Sequence, residues 1–280
     1  MSVNVLDADA ASGRTRRRLA AANASLAQMA PDIALTLTIA VVVLAAWQYA
    51  PPLLGIPRYI VPTLGDCLAE FGRMIAQENL ARHFFATLWV SVVGFVLGSA
   101  FGAAFGYALG LSAMWERAIA PYLLTLQIAP KVAFAPLFIM WFGYTAWPKL
   151  LVTLLIVFFP ILVNVLQSMK TVDRDLVNLA RAYNMSRAAI FWKIEFPSSM
   201  PALMAGLRIG ATLAVIGVTV GEFVGGNVGL GFLITYGEGQ ANTAMVFDAI
   251  ILLTVIGIAL YMAVAAIEKR VLHYIPRAGH

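Results

Sequence analysis

Two ionisable residues, Lys131 and Glu222, lie inside long apolar stretches of this 280-residue chain. An ammonium group isolated at mid-bilayer costs about 3 kcal/mol on insertion scales, so Lys131 needs water, a carboxylate or an anion beside it. Pro130 and Pro136 lie on either side of it, and helices broken inside a membrane usually line cavities. Contact with a passing anion is one hypothesis for Lys131. Pairing with Glu222, or with carbonyl groups that the prolines free, is the structural alternative.

Glu222 lies in the segment GEFVGGNVGLG, where four glycines from Gly225 to Gly231 give a flexible exit from the apolar stretch. A buried hydrogen bond that holds this loop explains the carboxylate better than proton coupling, because no second carboxylate follows along the same helix to form a relay. Gln127 and Thr219 add neutral polar groups inside apolar stretches. They suit a weakly polar pathway and, equally, hydrogen bonds between packed helices.

The other reactive side chains do not form a catalytic or metal site. The single cysteine, Cys67, excludes an intramolecular disulfide, and the three histidines, His83, His273 and His280, are too scattered for a metal cluster. The sequence contains no glycine-rich loop ending in Lys and Ser or Thr, so it has no ATP-hydrolysing motif of its own. We therefore expect neither an enzyme nor a bound cofactor.

Composition defines the elements that must position Lys131 and Glu222. Hydrophobic residues make up 61% of the chain and charged residues 12%, and the mean hydropathy is +0.84, which a soluble domain cannot accommodate. A transmembrane helix needs about 20 apolar residues. Six stretches are long enough: 33–54, 84–111, 118–142, 150–167, 202–224 and 246–267. The predicted fold class is all-α, a polytopic membrane protein with six transmembrane helices.

The distribution of basic residues predicts how these helices are oriented. Arginine and lysine concentrate before the first stretch, in residues 170–201 and after the sixth stretch, whereas the predicted outer loops hold only four. The positive-inside rule therefore favours both termini in the cytoplasm. It also explains the net charge of +5 without nucleic-acid binding. We divide the chain into a cytoplasmic tail (1–31), a membrane domain (32–270) and a second cytoplasmic tail (271–280).

Glycine recurs every four residues along the second apolar stretch, at positions 94, 98, 102, 106 and 110. This spacing places the glycines along one face of a helix. Glycine offers only backbone to a ligand, whereas a face without side chains lets another helix approach closely. We therefore interpret the stripe as a packing surface.

Residues 170–201, KTVDRDLVNLARAYNMSRAAIFWKIEFPSSMP, combine helical periodicity with dense mixed charge. Apolar residues recur at helical spacing from Leu176 to Tyr183, and Asn184 then interrupts them. Ser186 can cap a second short helix, which we place ahead of Pro197 and separate from the stretch that begins at residue 202. An exposed apolar face on a cytoplasmic helix pair needs a partner to cover it, so the segment is interpreted as a docking element.

The same segment resembles the signature cytoplasmic loop of the permeases of ATP-binding-cassette importers, which reads EAA, a short spacer, Gly, a longer spacer, an apolar residue and Pro. The match, NLARAYNMSRAAIFWKIEFP, puts Asn at the Glu and Gly positions, and the matching residues are Asn178, Leu179, Ala180, Asn184 and Pro197. Asn adopts the left-handed backbone conformation most readily after Gly, so Asn184 is expected to preserve the turn.

The resemblance extends through APKVAFAPLFIMWFG, ALMAGLRIG and VGEFVGGNVGLGFLI, and the chain looks like the nitrate, sulfonate and taurine branch. It implies a MetI-like permease fold in a bacterial inner membrane, a homodimer around one pathway, cytoplasmic ATPase subunits and an extracytoplasmic substrate-binding protein. The residues it assigns to ATPase coupling are Asn178, Leu179, Ala180, Arg181, Asn184, Arg187 and Pro197. The candidates for the pathway are Lys131, Glu222, Gln127 and Thr219.

The expected solute is small. Lys131 favours an anion such as nitrate, a sulfonate or taurine, and a pyrimidine or riboflavin-type vitamin precursor is the alternative. An ion-coupled secondary transporter, from a different class, would carry inverted repeats with paired broken helices and buried carboxylates. Neither an inverted repeat nor a carboxylate pair is visible in the sequence.

Overall fold

The computed structural model describes Pro31 and residues 34–274, and it divides the chain into two compact units, residues 1–66 and 67–280. The tails predicted at 1–31 and 271–280 lie mostly outside the described residues. In the first unit, helix α1 (Ala34–Leu53) is 20 residues long. The indole N–H of Trp47 donates to the carbonyl oxygen of Pro62 at 3.0 Å, which folds the following loop back toward the end of α1.

Helix α2 (Leu64–Gln77) begins with reciprocal hydrogen bonds between Thr63 and Asp66. The Thr63 N–H donates to the Asp66 carboxylate at 3.0 Å, and the Asp66 N–H donates to the Thr63 hydroxyl at 3.2 Å. Hydrogen bonds from the hydroxyl and then the N–H of Thr63 hold the pKa of Asp66 below its usual range. Cys67 and Met74, which are two turns apart, belong to the buried face of the helix.

The second unit is helical throughout, and the described residues contain no strand. The α-helices that follow α2 are α3 (Leu80–Gly110), α4 (Ala113–Ile128), α5 (Ala135–Phe142), α6 (Ala146–Lys170), α7 (Arg174–Ala182), α8 (Arg187–Ile190), α9 (Phe196–Gly225), α10 (Leu230–Gly239) and α11 (Thr243–Val271). A 3₁₀ turn (Lys131–Phe134) precedes α5, and a π-helical turn (Phe191–Glu195) joins α8 to α9. The predicted all-α class is confirmed.

The helices long and apolar enough to cross a membrane match the predicted stretches. There are five within residues 34–274, and the pair α4 and α5 makes a sixth if it counts as one span. This pair bends by 81° at its break. The α4 helix ends at Ile128, just before Pro130, whose ring cannot continue the hydrogen-bond ladder. The break predicted beside Lys131 is therefore confirmed.

Helix α6 packs extensively against both α3 and α9, and α3 and α9 also contact each other. Each glycine of the predicted stripe on α3 faces α6, so that an added Cβ would approach within 3.0 Å of Thr153, Val157, Phe158, Val165 or Met169. Gly217 and Gly221 of α9 meet α6 in the same way, at Thr153 and Lys149. The stripe is thus a packing surface, as predicted. Close contact between backbones is what aligns these three helices.

A methyl group on this stripe is expected to destabilise the protein. In Gly102→Ala the new Cβ would lie 2.6 Å from the carbonyl oxygen of Phe158, which is backbone and cannot rotate away. Overpacking of this kind costs about 1–3 kcal/mol. We expect a clearly lower melting temperature for the purified chain in detergent. Gly72→Ala, where the added Cβ meets nothing within 4 Å, is the matched control, and equal melting temperatures would contradict the packing argument.

Residues 170–201, the predicted cytoplasmic segment, differ from the prediction in one respect, because the second helix is not separate from the fifth span. Residues Arg187–Gly225 form one helix of 39 residues, so the span begins well before residue 202. Pro197 was expected to follow the end of a helix, and Pro201 likewise has no N–H to donate. The π-helical turn just before Pro197 changes the hydrogen-bond spacing there, and the helix continues through both prolines.

Helix α10 packs against α9 and α11 at the predicted outer end of the bundle. Leu230 and Leu233 are fully buried there, and Met245, Ala249 and Ile256 of α11 belong to the same core cluster. The loop between α9 and α10 is short and rich in glycine. Hydrogen bonds to neighbouring helices hold this loop in place.

Candidate functional site

Helix α7 is firmly capped at both ends. The Asp173 carboxylate accepts from the N–H of Asp175 at 2.8 Å at its start. At its end Asn184 has φ +55°, the N–H of Met185 donates to the carbonyl of Ala180, and the N–H of Asn184 donates to that of Arg181. This is the Schellman arrangement, with Asn at the left-handed position that Gly usually occupies. The left-handed turn predicted at Asn184 is confirmed.

The chain turns back after Asn184 and starts the next helix immediately. The hydroxyl of Ser186 accepts from the N–H of Ala189 at 3.2 Å, so Ser186 caps α8 as predicted. Val177 and Ala180 of α7 pack against Ile190 of α8 in a small buried cluster. Helix α7 is in this way fixed to α8, which is the first turn of the long helix Arg187–Gly225.

One face of α7 is apolar and uncovered. Leu176, Leu179 and Tyr183 are 49%, 55% and 77% exposed. They recur at three- and four-residue spacing, so they lie together on one side of the helix, next to the buried residues Val177 and Ala180. We call Leu176, Leu179 and Tyr183 the coupling face. A cluster of large apolar side chains on a rigid helix is typical of a surface that another protein covers.

The opposite face of α7 lines a groove of about 490 Å³. Arg174 and Arg181, seven residues or nearly two turns apart, project into it, and Arg187 of α8 adds a third guanidinium group. Its other walls come from the turn between α3 and α4 and from the aromatic residues Phe191 and Trp192. We call this the arginine groove.

The structure separates the residues predicted to couple to an ATPase. Leu179 lies on the coupling face, whereas Arg181 and Arg187 line the arginine groove on the other side of α7. Ala180 is 5% exposed, so it holds α7 against α8 and offers no contact surface. The other assigned positions are an exposed Asn178, the turn residue Asn184, and a partly buried Pro197 inside the long helix.

A second groove, of about 500 Å³, runs between α9 and α11 in the membrane-spanning part. Its walls are almost entirely apolar, apart from three threonines, Thr212, Thr219 and Thr254. Each threonine hydroxyl donates to a backbone carbonyl of its own helix, at 2.7 to 2.9 Å. We call this the threonine groove. Of the four pathway candidates, Thr219 is the one that lines it.

Lys131 lies at the break between α4 and α5, away from the threonine groove. Its ammonium group donates to the carbonyl oxygen of Gln127 and stands over the ring of Phe159, 4.9 Å from the centroid. The carbonyl belongs to the last turn of α4, where backbone oxygens lack helical partners. One of the two structural alternatives, pairing with a freed carbonyl, is thus realised here. The other, pairing with Glu222, is not.

Glu222 is 1% exposed and holds the loop between α9 and α10. Its carboxylate accepts from the Thr87 hydroxyl at 2.9 Å and from the N–H of Gly231 at 2.8 Å. Thr87 in turn accepts from the N–H of Leu230 at 2.8 Å. Gly229, at φ +133°, leaves room for the carboxylate, because a Cβ there would lie 2.0 Å from it. The buried hydrogen bond predicted for Glu222 is confirmed.

Two residues of this network were missed by the sequence analysis. The ammonium group of Lys149 is buried, interacts electrostatically with Glu222, and donates to the carbonyl oxygen of Val228 at 2.7 Å. His83 is also buried, and its Nδ1 accepts from the N–H of Gly229 at 3.1 Å. Lys149 had been placed in an outer loop, because it precedes the apolar run of α6 by one residue. We call Thr87, Lys149, Glu222 and the loop they hold the outer latch.

The backbone of Asn184 gives a direct test of the turn. We expect Asn184→Gly to leave the melting temperature nearly unchanged or slightly raised, because Gly adopts positive φ without steric cost. Asn184→Val should destabilise the loop by about 1–2 kcal/mol, since a β-branched residue is strained in this conformation. Limited proteolysis of the purified chain between α7 and α8 measures the difference. Equal cleavage rates for the two variants would contradict the positive φ.

Comparison with known proteins agrees with this architecture. Residues 94–273 match the family described as the binding-protein-dependent transport system inner membrane component. The riboflavin transport system permease protein of Chloroflexus aurantiacus is 38% identical over 85% of this chain and 89% of its own. A putative aliphatic sulfonates transport permease protein of Escherichia coli is 31% identical over 84% of this chain and 89% of its own.

A solved structure supports the fold independently. A chain of the MetNI methionine ABC transporter, in an inward-facing conformation, has a TM-score of 0.61 at 20% identity and covers 69% of this chain and 95% of that one. Among the described residues no group of three His, Cys, Asp or Glu side chains could hold a metal ion. The matched residues include the described residues that line both grooves, and they include Lys149 and Glu222 of the outer latch. The chain therefore belongs to the inner-membrane components of binding-protein-dependent transport systems, the permeases of ATP-binding-cassette importers.

Proposed function

We propose that this chain forms the membrane pathway of an importer and receives its driving force from a separate cytoplasmic ATPase at the coupling face. The observation that carries the proposal is the uncovered cluster of Leu176, Leu179 and Tyr183 on a helix capped at both ends. An apolar patch this exposed needs a partner surface. The basic residues around it favour the cytoplasm, where ATP is available.

The helix from Arg187 to Gly225 gives this face a mechanical connection to the pathway. One end of the helix is tied to α7 through the packing of Val177, Ala180 and Ile190, and the other end carries Glu222 of the outer latch. A shift of α7, driven by closure of the ATPase subunits, would move the helix as a rigid element. The threonine groove lies along the same helix, so access to it would change with that movement.

A second copy of the chain is proposed to close the pathway. The threonine groove is open on one side, and exposed apolar side chains such as Ile216 and Ile258 line it. A homodimer would place two such grooves face to face and bury these side chains against each other. An extracytoplasmic binding protein would deliver the solute to the outer end, in keeping with the name of the matched family.

The proposed solute is small and anionic, such as nitrate, a sulfonate or taurine. Lys131 supports this, because its ammonium group lies at a helix break inside the membrane and has no carboxylate partner among the described residues. The alternative is a vitamin precursor of the riboflavin or pyrimidine type. The nearly apolar walls of the threonine groove and the 38% identity to a riboflavin permease support that alternative, and the 31% identity to a sulfonates permease supports the anion.

Reconstitution tests the proposal. The chain would be placed in liposomes with and without its cognate ATPase and binding protein, and uptake of labelled taurine, nitrate, an alkanesulfonate and riboflavin would be measured with and without internal ATP. Uptake that needs all three components supports an importer, and the accepted solute identifies the substrate class. Uptake by the chain alone, driven by an ion gradient, would instead establish a secondary transporter.

A further inference from the structure

We propose that the arginine groove binds the headgroup of an anionic phospholipid from the cytoplasmic leaflet. Arg174, Arg181 and Arg187 line one cavity, and none of the three forms an ion pair with a carboxylate in the part of the chain that the structure describes. The single acidic residue in its wall is Glu195. Three guanidinium groups facing one acid leave a positive field, which an anion would neutralise.

The position of the groove indicates a lipid. The ends of α3 and α4 form one wall through Gly110, Leu111 and Ala113, so the groove opens where two apolar helices leave the membrane. Trp192 is 62% exposed at its edge, and tryptophan prefers the depth of the lipid headgroups. Basic pockets between membrane helices on the cytoplasmic side are a recurrent form of anionic-lipid site.

The chemistry of the walls also fits a phospholipid better than a free anion. Guanidinium groups bind phosphate through paired N–H donors. The apolar residues Leu111, Ile190 and Phe191 line the same cavity and offer a surface for glycerol and the first acyl carbons. A volume of about 490 Å³ is enough for a headgroup. Inorganic phosphate would use the arginines and leave the apolar wall wet.

The arginine groove and the coupling face lie on opposite sides of α7. Around the helix axis, Arg174 and Arg181 point to roughly the opposite side from Leu179. One helix can therefore contact lipid with one face and a protein with the other. A bound lipid would hold α7 close to the membrane. It would thereby fix the position of α7 before the ATPase moves it. The inference depends on the membrane orientation of the chain, and it does not depend on the identity of the solute or on ATPase binding.

Fluorescence quenching tests the site in the full-length chain without any partner. Brominated phosphatidylglycerol would be titrated into the purified chain in detergent, with brominated phosphatidylcholine as the neutral probe. The chain has six tryptophans, so the quenching lost in Trp192→Phe reports the groove. We expect saturable quenching of Trp192 by phosphatidylglycerol alone. In Arg174→Gln/Arg187→Gln the half-quenching concentration should rise about tenfold or more.

The matched control is Lys269→Gln/Arg270→Gln, which removes two exposed charges from the cytoplasmic end of α11 and should bind like the native chain. Arg174→Lys/Arg187→Lys tests folding and should retain part of the affinity. Quenching of Trp192 by both lipids alike, or quenching equally weakened in the control, would overturn the proposal. So would competition by inorganic phosphate at the same concentration as lipid, or displacement of lipid by the ATPase, which would assign the groove to a soluble anion or an acidic protein surface.

Discussion

Leu179→Glu is expected to abolish ATP-driven uptake in the reconstituted importer while leaving the permease folded. Leu179 is 55% exposed on the coupling face, so the substitution removes little packing within the chain. If an ATPase subunit covers this face, the new carboxylate would be buried without a partner at the interface, which costs several kcal/mol. A few residues near the centre of an interface commonly contribute most of its affinity. ATPase binding should therefore weaken by more than tenfold.

The measurement is co-purification of the ATPase with the permease, together with uptake per mole of ATP hydrolysed. Leu68→Glu is the matched control, because Leu68 is 67% exposed but lies on α2, on the predicted outer side. It should leave ATPase binding unchanged. Normal ATPase binding in Leu179→Glu would show that the partner does not cover the coupling face.

Arg181→Gln separates the two faces of α7. It lies in the arginine groove, so we expect ATPase binding close to the native level, with dependence on anionic lipid reduced. The sequence grouped Leu179, which lies at a signature position, with Arg181 and Arg187 as coupling residues. Helical geometry separates Leu179 from Arg181, since side chains two positions apart on an α-helix are rotated by about 200° around its axis.

Local backbone chemistry could be predicted from the sequence. Asn184 was expected to be left-handed because Asn tolerates positive φ, and Ser186 was expected to cap a helix because its hydroxyl can accept an N–H bond. Both depend on a few neighbouring residues. The packing role of the glycine stripe from Gly94 to Gly110 could likewise be predicted. A four-residue period places the glycines on one face of the helix, whichever helix packs against it.

Features that depend on distant parts of the chain could not be predicted in the same way. Pro197 indicated a helix end, and only the π-helical turn formed by Phe191–Glu195 explains why the helix continues. Lys149 and His83 gave no signal of burial, because each lies at the start of a helix, where a polar residue is ordinary. Their partners lie far along the chain, on the loop that carries Val228 and Gly229.

The outer latch should be the most sensitive point of the second unit. In Gly229→Ala the new Cβ would lie 2.0 Å from the Glu222 carboxylate, at a backbone φ of +133° that alanine rarely adopts. The backbone strain and the displacement of the carboxylate both destabilise the folded state. We expect little or no folded protein, or a melting temperature far below that of the native chain. Gly239→Ala, with nothing within 4 Å of the added Cβ, is the matched control and should be nearly neutral.

Glu222→Gln separates the charge of the latch from its shape. The amide keeps one oxygen acceptor, and at the Oε2 position that oxygen can still accept from the Thr87 hydroxyl at 3.0 Å and from the N–H of Gly231 at 2.8 Å, but both hydrogen bonds then go to a neutral group. It also removes the charge that faces the buried Lys149. A loss of about 1–2 kcal/mol follows, because hydrogen bonds to a neutral amide are weaker than hydrogen bonds to a carboxylate. Glu238→Gln, at an exposed position of α10, should change the melting temperature little. Equal melting temperatures for Glu222→Gln and Glu238→Gln would mean that the loop is held by the packing of Leu230 and Leu233, and that the carboxylate does not contribute to holding it.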